Sequence, residues 1–357
     1  MWKPSSVSTP CRIVFDASLP TPSGYCLNDL LAKGRNNLNR LQDIFIRWSI
    51  HRIAIHTDVR KMYNTINLNQ NYWCFKRYIW QAQLDLSKIP EEKVIKTLIY
   101  GVKSSGNQAE RGLRGVARMS KEEYPEVCEI IEEDVYVDDC ITGEETINQA
   151  HKRSDEIEVV VNRVSFKLKG VSFSGEDPDE SLTDDSVSIS VAGMKWFPKE
   201  DLLSLNINQL NFSKRTRGKR SNDTIKIILE SLTRRHCASK VSEIFDLAGK
   251  VTPITASMKL DLRELVTRRL QWDDVLPDEL RALWLSNFEM IQELRNLRYK
   301  RTVVPEDAVS LEINTIDFAD ASTSLACVAI YARILRRNGE YSCQLVLARS
   351  RLIPNDM

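Results

Sequence analysis

The sequence predicts an α+β chain of more than one domain, and three observations carry that prediction. Short apolar runs of strand length alternate with helical stretches as far as Phe197. A largely helical pattern then extends from Asp223 to about Leu297. From Leu311 the pattern returns to strands, in INTIDFADAS, LACVAIYARIL and YSCQLVLARSRL. At 357 residues the chain has room for two or three separate cores.

Taken in order, CRIVFDAS at 11–18 reads as a buried strand and TPSGY at 21–25 as a turn. Asn28–Trp48 reads as mostly helical, and RIAIHTD at 52–58 as a strand that ends in Asp58. VRKMYNTI follows with Val59, Met62, Tyr63 and Ile66 on one helical stripe, so Asp58 stands where a strand gives way to a helix. Tyr72–Leu86 reads as paired strands, and Pro90–Tyr124 as mainly helical, interrupted by a loop at 101–110. DVYVDDCITG at 134–143 reads as a tight hairpin whose tip carries Asp138 and Asp139. A polar helix is expected over Glu144–Val164, with strands over Phe166–Gly175 and Ser188–Phe197. KRTRGKR at 214–220 reads as an exposed linker, and Pro253 and the loop at 272–279 break the helical region.

Lys and Arg number 50 and Asp and Glu 49, a formal charge of +1, so any nucleic-acid partner has to be met by local patches. Eight scattered cysteines without a CxxC fit a reducing compartment and argue against a disulfide framework or a zinc module. The four histidines show no ligand spacing. No apolar run approaches the ~20 residues of a membrane span, and no signal peptide is evident, so neither a membrane partner nor secretion is expected.

Three Asp-Asp pairs occur, at 138–139, 184–185 and 273–274. The last two fall in polar loops, and the pair at 273–274 reads as a helix-start cap. The pair at 138–139 lies between apolar strands. If its hairpin neighbours the strand ending in Asp58, three carboxylates converge, an unfavourable arrangement unless divalent cations bind there. Hard oxygen donors with open positions suit Mg²⁺, and two such ions suit phosphoryl transfer.

The combination RIVFDAS (12–18), HTDVRKMYNTI (56–66), YGVKSSGNQAERGLR (100–114), YVDDCITG (136–143) and FADAS (318–322) resembles the pol polyprotein of BEL/Pao-type LTR retrotransposons. The resemblance covers nearly the whole chain in the family's order. It implies right-hand polymerase fingers and palm over 1–200, truncated at the N-terminus. A mainly helical thumb/connection over 201–305 and an incomplete ribonuclease H-like α/β fragment over 306–357 would follow.

The implied activity is RNA-directed DNA polymerase: transfer of dNTPs to a primer 3′-OH on an RNA or DNA template, with two Mg²⁺ ions or Mn²⁺ in their place. Carried over by position, Asp58, Asp138 and Asp139 would hold the metals, with Asp58 and Asp138 ranked above Asp139. Tyr63 would lie under the sugar and exclude a ribose 2′-OH, with an ordinary core aromatic as the other reading. Arg12 would meet the incoming triphosphate, with a solvated strand-end cation as the other reading. Tyr136, Ser105, Gly106 and Gln108 would border the nucleotide or template, although a simple turn accounts equally for the glycine-bearing loop. Lys167 and Lys169 are candidates near the leaving pyrophosphate, and Gly193–Trp196 resembles a primer-grip hairpin, a plain sheet edge being an equally good reading.

Arg234, Arg235, Lys240 and the run Arg295–Arg301 join KRTRGKR as candidate phosphate contacts, with ordinary solvated charged faces as the equal alternative. Asp320 resembles the first carboxylate of a ribonuclease H centre, incomplete here and a candidate nuclease only as a third reading. No Asp-Thr-Gly or Asp-Ser-Gly triad supplies an aspartic peptidase. The resemblance implies a cytoplasmic setting, with a virus-like particle as context. The alternative is an inactive or host-retained retroelement fragment that at most binds nucleic acid, which the expected truncations at both ends favour.

Overall fold

The computed structural model describes residues 15–81, 87, 89–183, 185–210, 212 and 222–354. The reading of Arg12 and of the run at 214–220 lies outside them. The chain forms two compact units: residues up to 44 together with 53–187, and residues 45–52 together with 188 onward.

The first unit contains α1 (Leu27–Leu30), the start of α2 (Leu41–Ile50), β1 (Ile53–Val59), α3 (Met62–Thr65), β2 (Arg77–Trp80) and β3 (Glu91–Val94). It continues through α4 (Ser105–Met119), α5 (Pro125–Glu133), β4 (Val135–Tyr136), β5 (Asp139–Glu144), α6 (Ile147–Asn162) and β6 (Leu168–Phe173). Its main sheet has the order β4-β5-β1-β6, antiparallel throughout. The helices cover it because their apolar residues recur at helical spacing. Ala109, Leu113, Val116 and Ala117 of α4 share one core with Val127, Cys128 and Ile131 of α5 and with Ile157, Val160 and Val161 of α6. Val59, Val135 and Cys140 supply the sheet's side of that core.

Several expectations fail here for local reasons. Residues 15–18, read as part of a strand, are not strand, and Gln70–Phe75, read in part as strand, is a 3₁₀ helix. Residues 31–40, read as helix, have no regular structure. Gly34 takes φ 82°, and the Asn36 side chain accepts from the Leu38 N–H, a bond that competes with helix formation. Residues 91–94, also read as helix, form a hairpin with β2, across which Arg77 donates to Glu92 at 2.6 Å. The supposed loop at 101–110 is a turn only as far as Ser104, and Ser105 onward is already α4.

The second unit opens with an antiparallel sheet of order β10-β9-β8-β7, built from β7 (Ile189–Val191), β8 (Met194–Phe197), β9 (Leu202–Ser204) and β10 (Tyr299–Lys300). Ala192 (φ 51°) and Gly193 (φ 81°) form the two-residue turn of the β7–β8 hairpin, with the positive angles a type I′ turn demands. Helices α7 (Asn222–Glu230), α8 (Arg234–Ser242), α9 (Thr252–Thr267) and α10 (Asp278–Glu293) follow. They bury Cys237, Met258, Leu265, Leu280, Trp284, Phe288 and Ile291 in one core. Pro253 starts α9 rather than breaking a longer helix, since the first turn needs no proline N–H. Asp273-Asp274 caps no helix: Asp273 pairs with Arg235 at 2.7 Å, and Asp274 accepts from the Gln271 N–H.

Last comes an antiparallel three-stranded sheet of β11 (Asn314–Ala321), β12 (Leu325–Leu335) and β13 (Tyr341–Leu352). Lys259 and Arg263 of α9 donate to the carbonyls of Ser350 and Ser324. A Cβ on Gly249 would lie 2.0 Å from the Ala348 carbonyl oxygen, so only glycine fits that approach. The described cysteines are all free, and no described helix is long and apolar enough to cross a membrane.

Candidate active site

The centre of the first unit is fixed by register. Asp58 of β1 is the direct partner of Asp139 at the start of β5, so the two side chains leave the same face of the sheet. The Val59 N–H donates to the Asp138 carbonyl at 2.8 Å, tying the hairpin tip to the end of β1. Tyr136 pairs with Asp139, which makes Val137-Asp138 the two-residue turn. The tip therefore carries one carboxylate, not the expected two, and Asp139 already belongs to the return strand. Val137 sits at φ 62°, an unusual angle for a β-branched residue and one stabilised only by surrounding structure.

The base of this hairpin is clamped. Asn39 donates to the carbonyls of Glu132 and Val135, each at 3.0 Å, and Arg114 of α4 donates to the Asn39 side chain. Thr142 bonds the buried Asp134 carboxylate at 2.9 Å. Neither Asn39 nor Arg114 was distinguishable by sequence, because each acts through a long-range contact.

His56 is the residue the sequence reading passed over. It is 2% exposed, lies two positions before Asp58 on β1, and faces Asp139 at 3.3 Å through Nε2. A carboxylate only accepts, so Nε2 carries the hydrogen; Nδ1 is buried and meets no partner. The spacing of two along a strand, which puts His56 and Asp58 on one face, was the available signal.

Tyr63, from α3, stacks against Tyr100 with ring centroids 4.5 Å apart. A Cβ on Gly106 would stand 3.7 Å from its hydroxyl. Burial pushes the Tyr63 phenol up, helped by the negative charges of Asp138 and Glu110. The fold thus brings Tyr63, Gly106 and Asp138 to one neighbourhood. Ser105 is buried with an unpartnered hydroxyl, while Gln108 is exposed and donates back to Ser104. Gly101, at φ 90°, holds its turn by accepting from Asn28 at 3.0 Å. Burial raises the Glu110 carboxyl, with Arg114 opposing, and its Oε2 has no partner. Lys167 is exposed and its carbonyl accepts from the Arg60 N–H. Asp320, on β11 of the second unit, is exposed and pairs in register with Cys327.

Asp58, Asp138 and Asp139 offer hard oxygen donors, the right chemistry for Mg²⁺. Among the described residues no three His, Cys, Asp or Glu side chains form a group able to hold an ion. Magnesium usually takes one or two carboxylates and completes its shell with water and substrate phosphates, so a pair such as Asp58 and Asp138 would be enough to hold it. Asp139 is engaged by His56.

Residues 233–357 match the family model of the Pao retrotransposon-like RNaseH-like domain. The match starts at the N-cap of α8, and so takes in the helices as well as the three final strands. The similarity to that family thus covers about a third of the chain. The fold of the chain is similar to that of a foamy viral protease-reverse transcriptase in complex with double-stranded DNA. That likeness has a TM-score of 0.54 and 12% identity over 94% of this chain and 51% of the other. A second similar structure is the foamy viral protease-reverse transcriptase with an RNA/DNA hybrid, at a TM-score of 0.50, 11% identity and the same 94% coverage. This chain thus spans about half the length of the first and 39% of the second. No curated protein matches its sequence.

Proposed function

We propose that the first unit is the fingers and palm of an RNA-directed DNA polymerase, followed by a thumb/connection at about 201–305 and a ribonuclease H-like segment from about 306. The observation that carries this reading is the opposition of Asp58 and Asp139 across β1 and β5, with Asp138 bonded through its carbonyl to Val59. Metal-activated attack of a primer 3′-OH on a dNTP needs carboxylates at one end of a rigid sheet, and a paired strand and a clamped hairpin supply that rigidity.

In this reading Asp58 and Asp138 would hold Mg²⁺, or Mn²⁺ in its place, which when bound would stabilise the negative charge that develops in phosphoryl transfer. Asp139 is held in orientation by His56. Tyr63, backed by Tyr100 and lying beside Gly106, forms the surface on which the nucleotide sugar rests, and its bulk excludes a 2′-OH. Template-primer duplex is the partner, consistent with the DNA and RNA/DNA ligands of the two foamy viral structures.

Primer extension on a homopolymer template, with dNTPs and Mg²⁺ or Mn²⁺, tests the reading. The unaltered chain extends the primer; Asp138→Asn lowers extension by at least ~10³-fold, about 4 kcal/mol of transition-state stabilisation, while duplex binding persists. Undiminished extension in Asp138→Asn would sink the assignment. A second reading, a retroelement fragment that binds nucleic acid without catalysis, is favoured by the absence, among the described residues, of three His, Cys, Asp or Glu side chains grouped to hold an ion. It predicts duplex binding and no extension by the unaltered chain with either metal.

A further inference from the structure

The β4–β5 hairpin of the first unit borders a small cavity of about 10 Å³, the room of one water molecule. Val137 lines it from the turn, Glu110 and Arg114 from α4, and Asn37 and Asn39 from the extended segment before α2. Apart from these the lining is apolar, so Arg114 is the one charged group that shares the cavity with Glu110. The amide and the guanidinium are already engaged. Asn39 donates to the Glu132 and Val135 carbonyls, and Arg114 donates to the Asn37 carbonyl and the Asn39 side chain. Arg114 stands four residues after Glu110, the spacing of a helical ion pair, yet its Nη2 is spent on that extended segment. The Glu110 Oε2 is buried and has no partner.

The turn on the cavity's wall is one that needs support. Of its two residues only Val137 takes a positive φ, 62°, the pattern of a type II′ turn, whose first position ordinarily holds glycine. A β-branched residue keeps that conformation only where its surroundings hold it. A two-residue turn also leaves polar main-chain groups of its own residues outside the strand ladder. Shielded from solvent, such groups require another partner.

We infer that Glu110 is a positioning residue for the hairpin tip, acting through one water molecule bound in this cavity between its Oε2 and the main chain of the Val137–Asp138 turn. Room for a single water, a carboxylate oxygen with no other partner and a strained turn on the same wall are the three parts of such a bridge. Burial raises the Glu110 carboxyl, as expected of a group short of solvating partners. Its charge, like that of Asp138, also acts on the Tyr63 phenol, which keeps the bridge within the neighbourhood of the proposed site. The hold on the turn rests on the cavity alone; its bearing on catalysis, through Asp138, rests on the polymerase reading.

The test is the methyl NMR spectrum of the full chain carrying isotope-labelled valine, read beside primer extension with Mg²⁺ or Mn²⁺. In the unaltered chain the Val137 methyls should show a nuclear Overhauser contact with a long-lived water. Glu110→Leu, which keeps bulk and removes both oxygens, should abolish that contact and shift the Val137 methyls, while those of Val171 on β6 stay in place and exclude general misfolding. Glu110→Gln, which keeps a polar group, should retain both. In extension, Glu110→Leu should lower kcat by about 10–100-fold with the dNTP KM little changed, and Glu110→Gln should restore most of the loss. Val137 methyls without a water contact in the unaltered chain, or unmoved in Glu110→Leu, overturn the inference whatever the extension assay gives. An unaltered kcat in Glu110→Leu overturns it equally. Val137 methyls that respond as expected, in a chain that extends no primer with either metal, uphold the bridge and overturn the polymerase reading alone.

Discussion

At the scale of single residues, the pairing of His56 with Asp139 makes a prediction that Asp139 alone does not. Burial keeps the imidazole out of water, and its Nε2 fixes one oxygen of a carboxylate that borders the proposed metal site. Partners of this kind are worth about 10–100-fold in activity when removed. His56→Leu keeps the volume and removes the donor. Primer extension should fall by about 10–100-fold with the dNTP KM little changed, whereas a residue that only filled space would shift the thermal midpoint and leave kcat alone. Asp58, Asp138 and Asp139 were legible in the sequence because each depends on local signals, a strand end or a two-strand run around a turn. The bond from His56 was not, because it exists only once β1 and β5 are in register.

At the scale of elements, α4 and the hairpin explain what sequence could and could not supply. The apolar stripe of α4 is visible as spacing, but its start was misplaced because GVKSSGNQAE carries two glycines and two serines, all residues that suit turns. Ser104 is in fact the N-cap, and the helix begins with the next residue. The extended path of 31–40 was equally hidden, since it is held from outside: Asn107 of α4 donates to the Arg35 carbonyl and Arg114 to that of Asn37.

The same helix carries Glu110, whose raised carboxyl sets a pH dependence. A carboxyl that binds its proton more tightly in the folded state contributes stability that is present below the unfolded value near 4.5 and lost as pH rises through the folded one. Glu110→Gln should therefore flatten stability against pH in the range just above 4.5, with the variant gaining on the parent as pH rises to neutrality. Chemical denaturation at a series of pH values measures this. A parent whose stability rises through that range as steeply as the variant's would remove the effect.

At the scale of the whole molecule, the second unit is closed by Arg301. Its guanidinium meets both oxygens of Asp201 at 2.8 Å and donates to the carbonyls of Trp48, His51 and Arg52. Trp196 adds a bond to Asp201 at 3.0 Å and packs its ring against Trp48, 5.3 Å between centroids. Removing one member of a buried pair leaves the other uncompensated, so Arg301→Ala should cost about 3–5 kcal/mol of folding stability. Equilibrium denaturation reads that loss directly, and a cost below about 1 kcal/mol would show that water replaces the arginine.

Those carbonyl acceptors sit in residues 45–52, a piece of chain that belongs to the second unit yet is flanked on both sides by residues of the first. Neither unit is therefore a single stretch of sequence. Protein synthesis delivers residues 45–52 long before Arg301, so they remain without their arginine until most of the chain has emerged. A shortened chain starting at Ser188 would present Arg301 and Trp196 to water where Trp48 belongs. Supplying a synthetic peptide of residues 41–52 should restore its cooperative unfolding. The seam between the two units is written into the middle of a helix, α2, and anyone dividing this protein into parts has to carry that helix to both sides of the cut.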